Sequence, residues 1–227
     1  MLGTGSATVT KCYNTCFIVR EDDDMLMVDA GGGNGILGQL QKAGVGIGEI
    51  HNLYVTHAHT DHILGVIWIV RMVMQKTLAG KYCGVLNVYG HEKVVRVITE
   101  ICRMTLHKKY FALIGKAIVM HVLDDGDEFC VGGMRLKCFD ILSDKEKQYG
   151  FALRFSDGER LVCMGDEPCN EATLGYARGA DWMMCEAFCL YADRDVFKPY
   201  EKYHSTALDA GRVAADTGVK NLIIYHT

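Results

Sequence analysis

The chain has 227 residues, with 24 Lys+Arg against 28 Asp+Glu and a formal net charge of −4. That balance excludes a global basic field for DNA, so any nucleic-acid contact must be local. With 49% hydrophobic residues and two prolines, the composition excludes a long disordered tail and supplies enough apolar surface for a buried core.

No composition shift or internal repeat marks a boundary, which predicts a single domain over 1–227. Ten cysteines without a C-x-x-C pair, in a chain opening directly on Met1-Leu-Gly-Thr-Gly, predict reduced thiols in a cytoplasmic protein.

In chain order, strands are expected first at 16–20 and 25–29. Gly31-Gly-Gly-Asn-Gly35 follows, with no Lys-Ser/Thr after it. It therefore reads as a strand-to-helix turn needing positive φ, not as a nucleotide loop. A helix at 37–42 and a strand at 51–56 lead into Thr56-His-Ala-His-Thr-Asp-His62. On extended backbone, side chains two apart share a face, so His57 and His59 can address one ion. Asp61 and His62 fall where the chain turns into a helix at 64–78 and can address a second. Imidazoles with a carboxylate suit zinc, and manganese or iron as well. The stripe 66–74 is apolar nearly all round, which predicts core burial first and a homodimer contact second. The apolar run 63–74 is too short to span a bilayer and holds Arg71, so no membrane span is expected.

Further strands are expected at 85–89, 117–122, 134–141, 150–155, 161–164, 182–185 and 222–225, and helices at 92–104, 170–177 and 207–217. The stretch 134–155 holds two strands with no helix between them, which argues against one parallel sheet. Strands such as Leu222-Ile-Ile-Tyr225 are apolar on every residue and need cover on both faces. A layered α/β arrangement of two packed sheets with outer helices satisfies both. Asp166 after the strand at 161–164 could bridge two ions, and His226 after the strand at 222–225 could complete their ligands. His51, His91, His107 and His121 lack ligand-like neighbours and are expected on the surface or satisfied in the core.

LGTGSA, VDAGGGNGILGQL, THAHTDH, MGDE, CEA at 185–187, HST at 204–206 and the final YHT occur in that order along the chain. Together they resemble a metallo-β-lactamase-fold hydrolase, and most closely its ribonuclease Z-like branch. The resemblance implies an α/β, four-layer αββα sandwich with two divalent metal ions at one edge, zinc first among the candidates. It implies His57, His59 and Asp166 on the first metal, and Asp61, His62, Asp166 and His226 on the second. Glu186 and His204 match the pair that handles a proton in that branch, with Cys185 where a histidine is common. Thr206 and Asp209 resemble a capping box, so His204 also leads into a capped helix whose N-terminus favours an anionic substrate.

One departure stands out. The resemblance puts a third histidine of the first metal where this chain has Leu142. Asp140, two residues back, would share its face on a strand and could substitute, although an ordinary strand-end carboxylate is the plainer reading. The first site is therefore expected to be the weaker. The expected activity is phosphodiester hydrolysis by a hydroxide formed between the metals, with Asp61 orienting it and His204 donating a proton to the leaving oxygen. A small phosphodiester or RNA is the expected substrate; no tRNA-binding arm is evident. The alternatives are hydrolysis of a carboxyl ester, thioester or lactone, and a metal-binding protein impaired by Leu142.

Overall fold

Each expected strand forms within a few residues of its expected ends, and one more joins them. The computed structural model describes all 227 residues, and the chain folds into two units, Met1–Leu123 and Asp124–Thr227.

In the first unit the strands are β1 (Phe17–Glu21), β2 (Asp24–Val28), β3 (Asn52–Tyr54), β4 (Leu86–Gly90) and β5 (Ile118–Val122), adjacent in that order. β1 and β2 form an antiparallel pair, while β2 to β5 run parallel. Parallel neighbours need crossover connections. Here α1 (Gly35–Lys42) and α2 (Thr60–Leu78) supply them on either side of β3, and α3 (Glu92–Thr105) with α4 (Lys108–Phe111) joins β4 to β5. The stripe of α2 is core: Val66, Ile69, Val70, Val73 and Met74 are fully buried against Leu53, Val88 and Ile118. Each such side chain contributes about 1.5–3 kcal/mol by leaving water. Because β2, β3 and β4 point the same way, the residues after them, Asp29, Val55–Thr56 and His91, gather at one sheet edge.

In the second unit the strands are β6 (Glu128–Val131), β7 (Met134–Asp140), β8 (Tyr149–Arg154), β9 (Arg160–Cys163), β10 (Trp182–Glu186) and β11 (Asn221–Tyr225). They lie side by side in sequence order, antiparallel from β6 to β9 and parallel from β9 to β11. The helices are α5 (Glu171–Ala177), α6 (Arg194–Phe197) and α7 (Ala207–Thr217). Phe139, Val162, Met183, Ala177, Ala210 and Ala214 share its core. The parallel trio again delivers its C-terminal ends to one edge, which carries Asp166, Glu186 and His226.

All ten cysteines are free thiols. No helix is long and apolar enough to cross a membrane.

Candidate active site

In the first unit, the histidine motif spans the end of β3 and the start of α2. His59 is the N-cap of α2 in extended conformation, and Asp61 lies in the first turn. His57 Nε2 and His59 Nδ1 stand 2.9 Å apart, and the rings of His57 and His62 are 4.2 Å apart between centroids. His62 Nε2 lies 3.5 Å from Asp61 Oδ2. The four motif residues thus converge as their spacing predicts.

Asp29, a residue outside the expected ligand set, organises them. Its Oδ1 accepts the Thr56 N–H at 2.9 Å; its Oδ2 accepts the Thr56 hydroxyl at 2.8 Å and faces His62 Nδ1 at 2.8 Å. The Thr56 oxygen in turn lies 2.9 Å from His57 Nδ1. Since a carboxylate only accepts, Nδ1 of both imidazoles carries the proton, and the Nε2 of each faces the rest of the motif, His57 towards His59 and His62 towards Asp61. Asp29 reaches this position at φ +52°, in the left-handed region that Asp tolerates better than most residues. By sequence alone, Asp29 falls at the end of the strand expected at 25–29 and has no role of its own.

The glycine tract beyond Asp29 serves a narrower purpose than expected. Only Gly31, at φ +71°, needs the left-handed region, while Gly32, Gly33 and Gly35 do not. Tyr13 clamps the turn instead, its hydroxyl donating to Ala30 O at 2.9 Å or Gly33 O at 2.7 Å. Burial pushes that phenol up to about 12, so it stays protonated.

In the second unit, Asp166 Oδ2 lies 3.0 Å from His226 Nε2. The Asp166 N–H donates to Gln148 Oε1 at 3.1 Å, and His226 sits at φ +59°. Glu186 is fully buried: Oε1 accepts the Ser205 N–H at 2.6 Å, and Oε2 lies 3.3 Å from His204 Nδ1. Glu186, His204 and His226 offer donor atoms within 4.8 Å of one another. Phe188 stacks on His204 at 5.0 Å between centroids and fixes its ring plane. The capping box also forms, with the Asp209 N–H donating to Thr206 Oγ1 and the Thr206 N–H to Asp209 Oδ2. Burial raises the Tyr225 phenol well above its ordinary range, and it donates to Gly165 O beneath Asp166. The Cys169 thiol, 3.5 Å away, and then burial push the Cys185 thiol up, so neither fact makes it a ready nucleophile.

At the expected third-histidine position, β7 has already ended. Leu142 sits at φ +57° and is 63% exposed, so strand alternation no longer relates it to Asp140. Asp140 Oδ1 accepts the Leu142 N–H at 2.8 Å and closes the turn, the plainer of its two readings. Of the remaining histidines, His121 pairs with Asn87 at 2.9 Å and His51 with Val85 O at 3.2 Å, while His91 is buried at the start of α3.

The donor chemistry fits divalent metal. Buried imidazoles whose outer N–H is tied to a carboxylate or hydroxyl are oriented as metal ligands are, and 2.9 Å between the inner nitrogens suits two donors about 2.0–2.1 Å from one ion.

Solved structures share this fold over its whole length. The short form of human tRNase Z matches with a TM-score of 0.80 at 20% identity, covering 99% of this chain and 90% of that one. The metallo-β-lactamase fold protein YhfI of Bacillus subtilis matches with 0.78 at 18% identity, covering 99% and 84%. The chain has the metallo-β-lactamase fold, as its motifs led us to expect. The family model described as Anti-Pycsar protein Apyc1 matches residues 1–201, and the chain belongs to that family. Among curated proteins, Ribonuclease Z of Prochlorococcus marinus subsp. pastoris is 23% identical over 276 aligned residues, which cover 99% of this chain and 86% of the relative.

Proposed function

We propose that this chain is a phosphodiesterase that holds two divalent ions, zinc first among them, and hydrolyses a small phosphodiester. On the motif resemblance, His57, His59 and Asp166 are assigned to one ion, and Asp61, His62, Asp166 and His226 to the other. The observation carrying the reading is the Asp29–Thr56 network, which turns the Nε2 lone pairs of His57 and His62 away from their hydrogen-bonded side. Once bound, such ions bring the pKa of a coordinated water from about 15.7 towards about 7 and offset phosphoryl charge.

The chain's own groups do the rest. Asp61, in the first turn of α2, orients the attacking water. Glu186 fixes His204 through Nδ1, so that Nε2 handles a proton at the leaving oxygen. The N-terminus of α7, which follows directly on His204, favours the anionic substrate.

Two features support a small substrate over tRNA. The net charge is −4, and the aligned Ribonuclease Z needs 276 positions against 227 residues here, so that relative carries segments this chain lacks. Ten free thiols support a cytoplasmic setting. A homodimer is the second reading of the α2 stripe, and light scattering would test it.

The deciding experiment measures metal content and turnover together, on bis(p-nitrophenyl) phosphate and on a panel of carboxyl esters, thioesters and lactones. Turnover of the phosphodiester alone is expected. Turnover of a carboxyl compound alone would replace the reading, and metal binding without any turnover would make the protein a non-catalytic binder.

A further inference from the structure

The turn between β7 and β8, where the expected third histidine is missing, brings a cation to His204. Lys145 Nζ lies 3.4 Å from His204 Nε2, 3.4 Å from Lys202 O and 3.8 Å from Glu167 Oε1, and its side chain is 25% exposed. The turn is pinned rather than loose. Ser143 Oγ donates to Glu167 Oε1 at 2.5 Å and itself accepts the N–H groups of Lys145 and Glu146 at 3.2 and 3.1 Å. At its far end, Gln148 holds the backbone of Asp166. Lys145 is thereby tied to the segment Asp166–Glu167 and to the Glu186–His204 pair at once.

Its contacts are long for a charged donor. Ammonium–carboxylate hydrogen bonds run at about 2.7–2.9 Å, yet the acceptors here stand at 3.4 Å or beyond. The ammonium is steered by three acceptors and closely bound by none, so an anionic oxygen can displace them at little cost. An ammonium only donates and a carboxylate only accepts, so His204 sits with Nδ1–H towards Glu186 and its Nε2 lone pair towards Lys145.

Resting on the phosphodiesterase reading above, we propose that Lys145 is a catalytic residue whose ammonium binds a non-bridging oxygen of the scissile phosphodiester and stabilises the charge that builds there in the transition state. Lysine is an established point-charge partner for phosphate, and on turning to substrate its ammonium leaves His204 Nε2, the nitrogen assigned to proton transfer at the leaving oxygen.

The test uses the full-length, metal-loaded protein with K145M and K145R. It measures kcat and KM on bis(p-nitrophenyl) phosphate, metal content, thermal midpoint, and binding of inorganic phosphate by calorimetry. K145M is expected to lower kcat by ~10²-fold, as loss of one preorganised donor does elsewhere. It should also weaken phosphate binding at least tenfold while metal content and midpoint hold, with partial recovery in K145R. Turnover and phosphate binding in K145M within threefold of the parent would overturn the proposal, as would loss of metal or fold in both variants. If the parent itself turns over no phosphodiester, the phosphodiesterase reading fails separately, and the comparison of phosphate binding still judges Lys145.

Discussion

Asp29 grips His62: Oδ2 and Nδ1 are 2.8 Å apart and both side chains are all but inaccessible. The same oxygen takes the Thr56 hydroxyl, which steadies His57. One carboxylate therefore sets the orientation of two imidazoles assigned to two different ions. Replacing Asp29 by Asn leaves its shape and removes the charge that holds Nδ1–H in place. Metal affinity should fall by about 10–100-fold, the usual loss when a partner behind a ligand is removed. A competitive chelator titration reads this directly, and unaltered affinity would reject the orienting role.

His204 is separable from the metals. It belongs to the Glu186–His204 pair, two residues before Thr206, the N-cap of α7, and not to the Asp29 network. His204→Ala should lower kcat by about 10²–10⁴-fold, the range for a lost general acid or base, with metal stoichiometry unchanged. Full turnover in that variant would remove His204 from the chemistry.

The turn at Leu142 bears on occupancy. Asp140 is spent on the Leu142 N–H, so the ion assigned to His57 and His59 gains no obvious replacement from this turn. On dialysis against a weak chelator, one ion should leave well before the other. Equal retention of two ions, followed by elemental analysis, would contradict this.

The capping box of α7 makes a pH prediction. Burial raises the Asp209 carboxyl, but hydrogen bonds from Thr206 and Tyr200 outweigh it, and its pKa is lowered from 3.8. A depressed carboxylate stabilises the fold above its unfolded pKa, and that contribution is lost as pH falls through the folded value. The gap in thermal midpoint between the parent and Asp209→Asn should therefore be widest above the ordinary carboxylate range and shrink as pH falls below it. Thr206→Ala removes the reciprocal bond and should cost about 1 kcal/mol.

Much of this was legible in the sequence, and the gaps have physical causes. The α7 box and the convergence of His57, His59, Asp61 and His62 follow from spacing alone, because local backbone geometry fixes which side chains meet. Strand β6 escaped notice because Glu128-Phe-Cys-Val131 is four residues long and its outward positions are polar and apolar in turn. Asp29, Gln148 and Lys145 were missed for another reason. Each acts on a partner far along the chain, and no periodicity encodes a contact made only when strand ends become neighbours. At Leu142 the expectation of a continuing strand failed because β7 ends at Asp140, whose side chain takes the Leu142 N–H two residues on.

Gly65 ties architecture to chemistry. A β-carbon there would come within 1.8 Å of the Ala30 carbonyl oxygen, and the Gly65 N–H already donates to Gly31 O at 2.8 Å. Main chain rests directly on main chain, leaving no side chain to absorb an error. The distance between the Asp29 carboxylate and the imidazole it orients is consequently gauged by two abutting backbones. A single added methyl at Gly65 would prise them apart, and no rotamer change nearby could restore the fit.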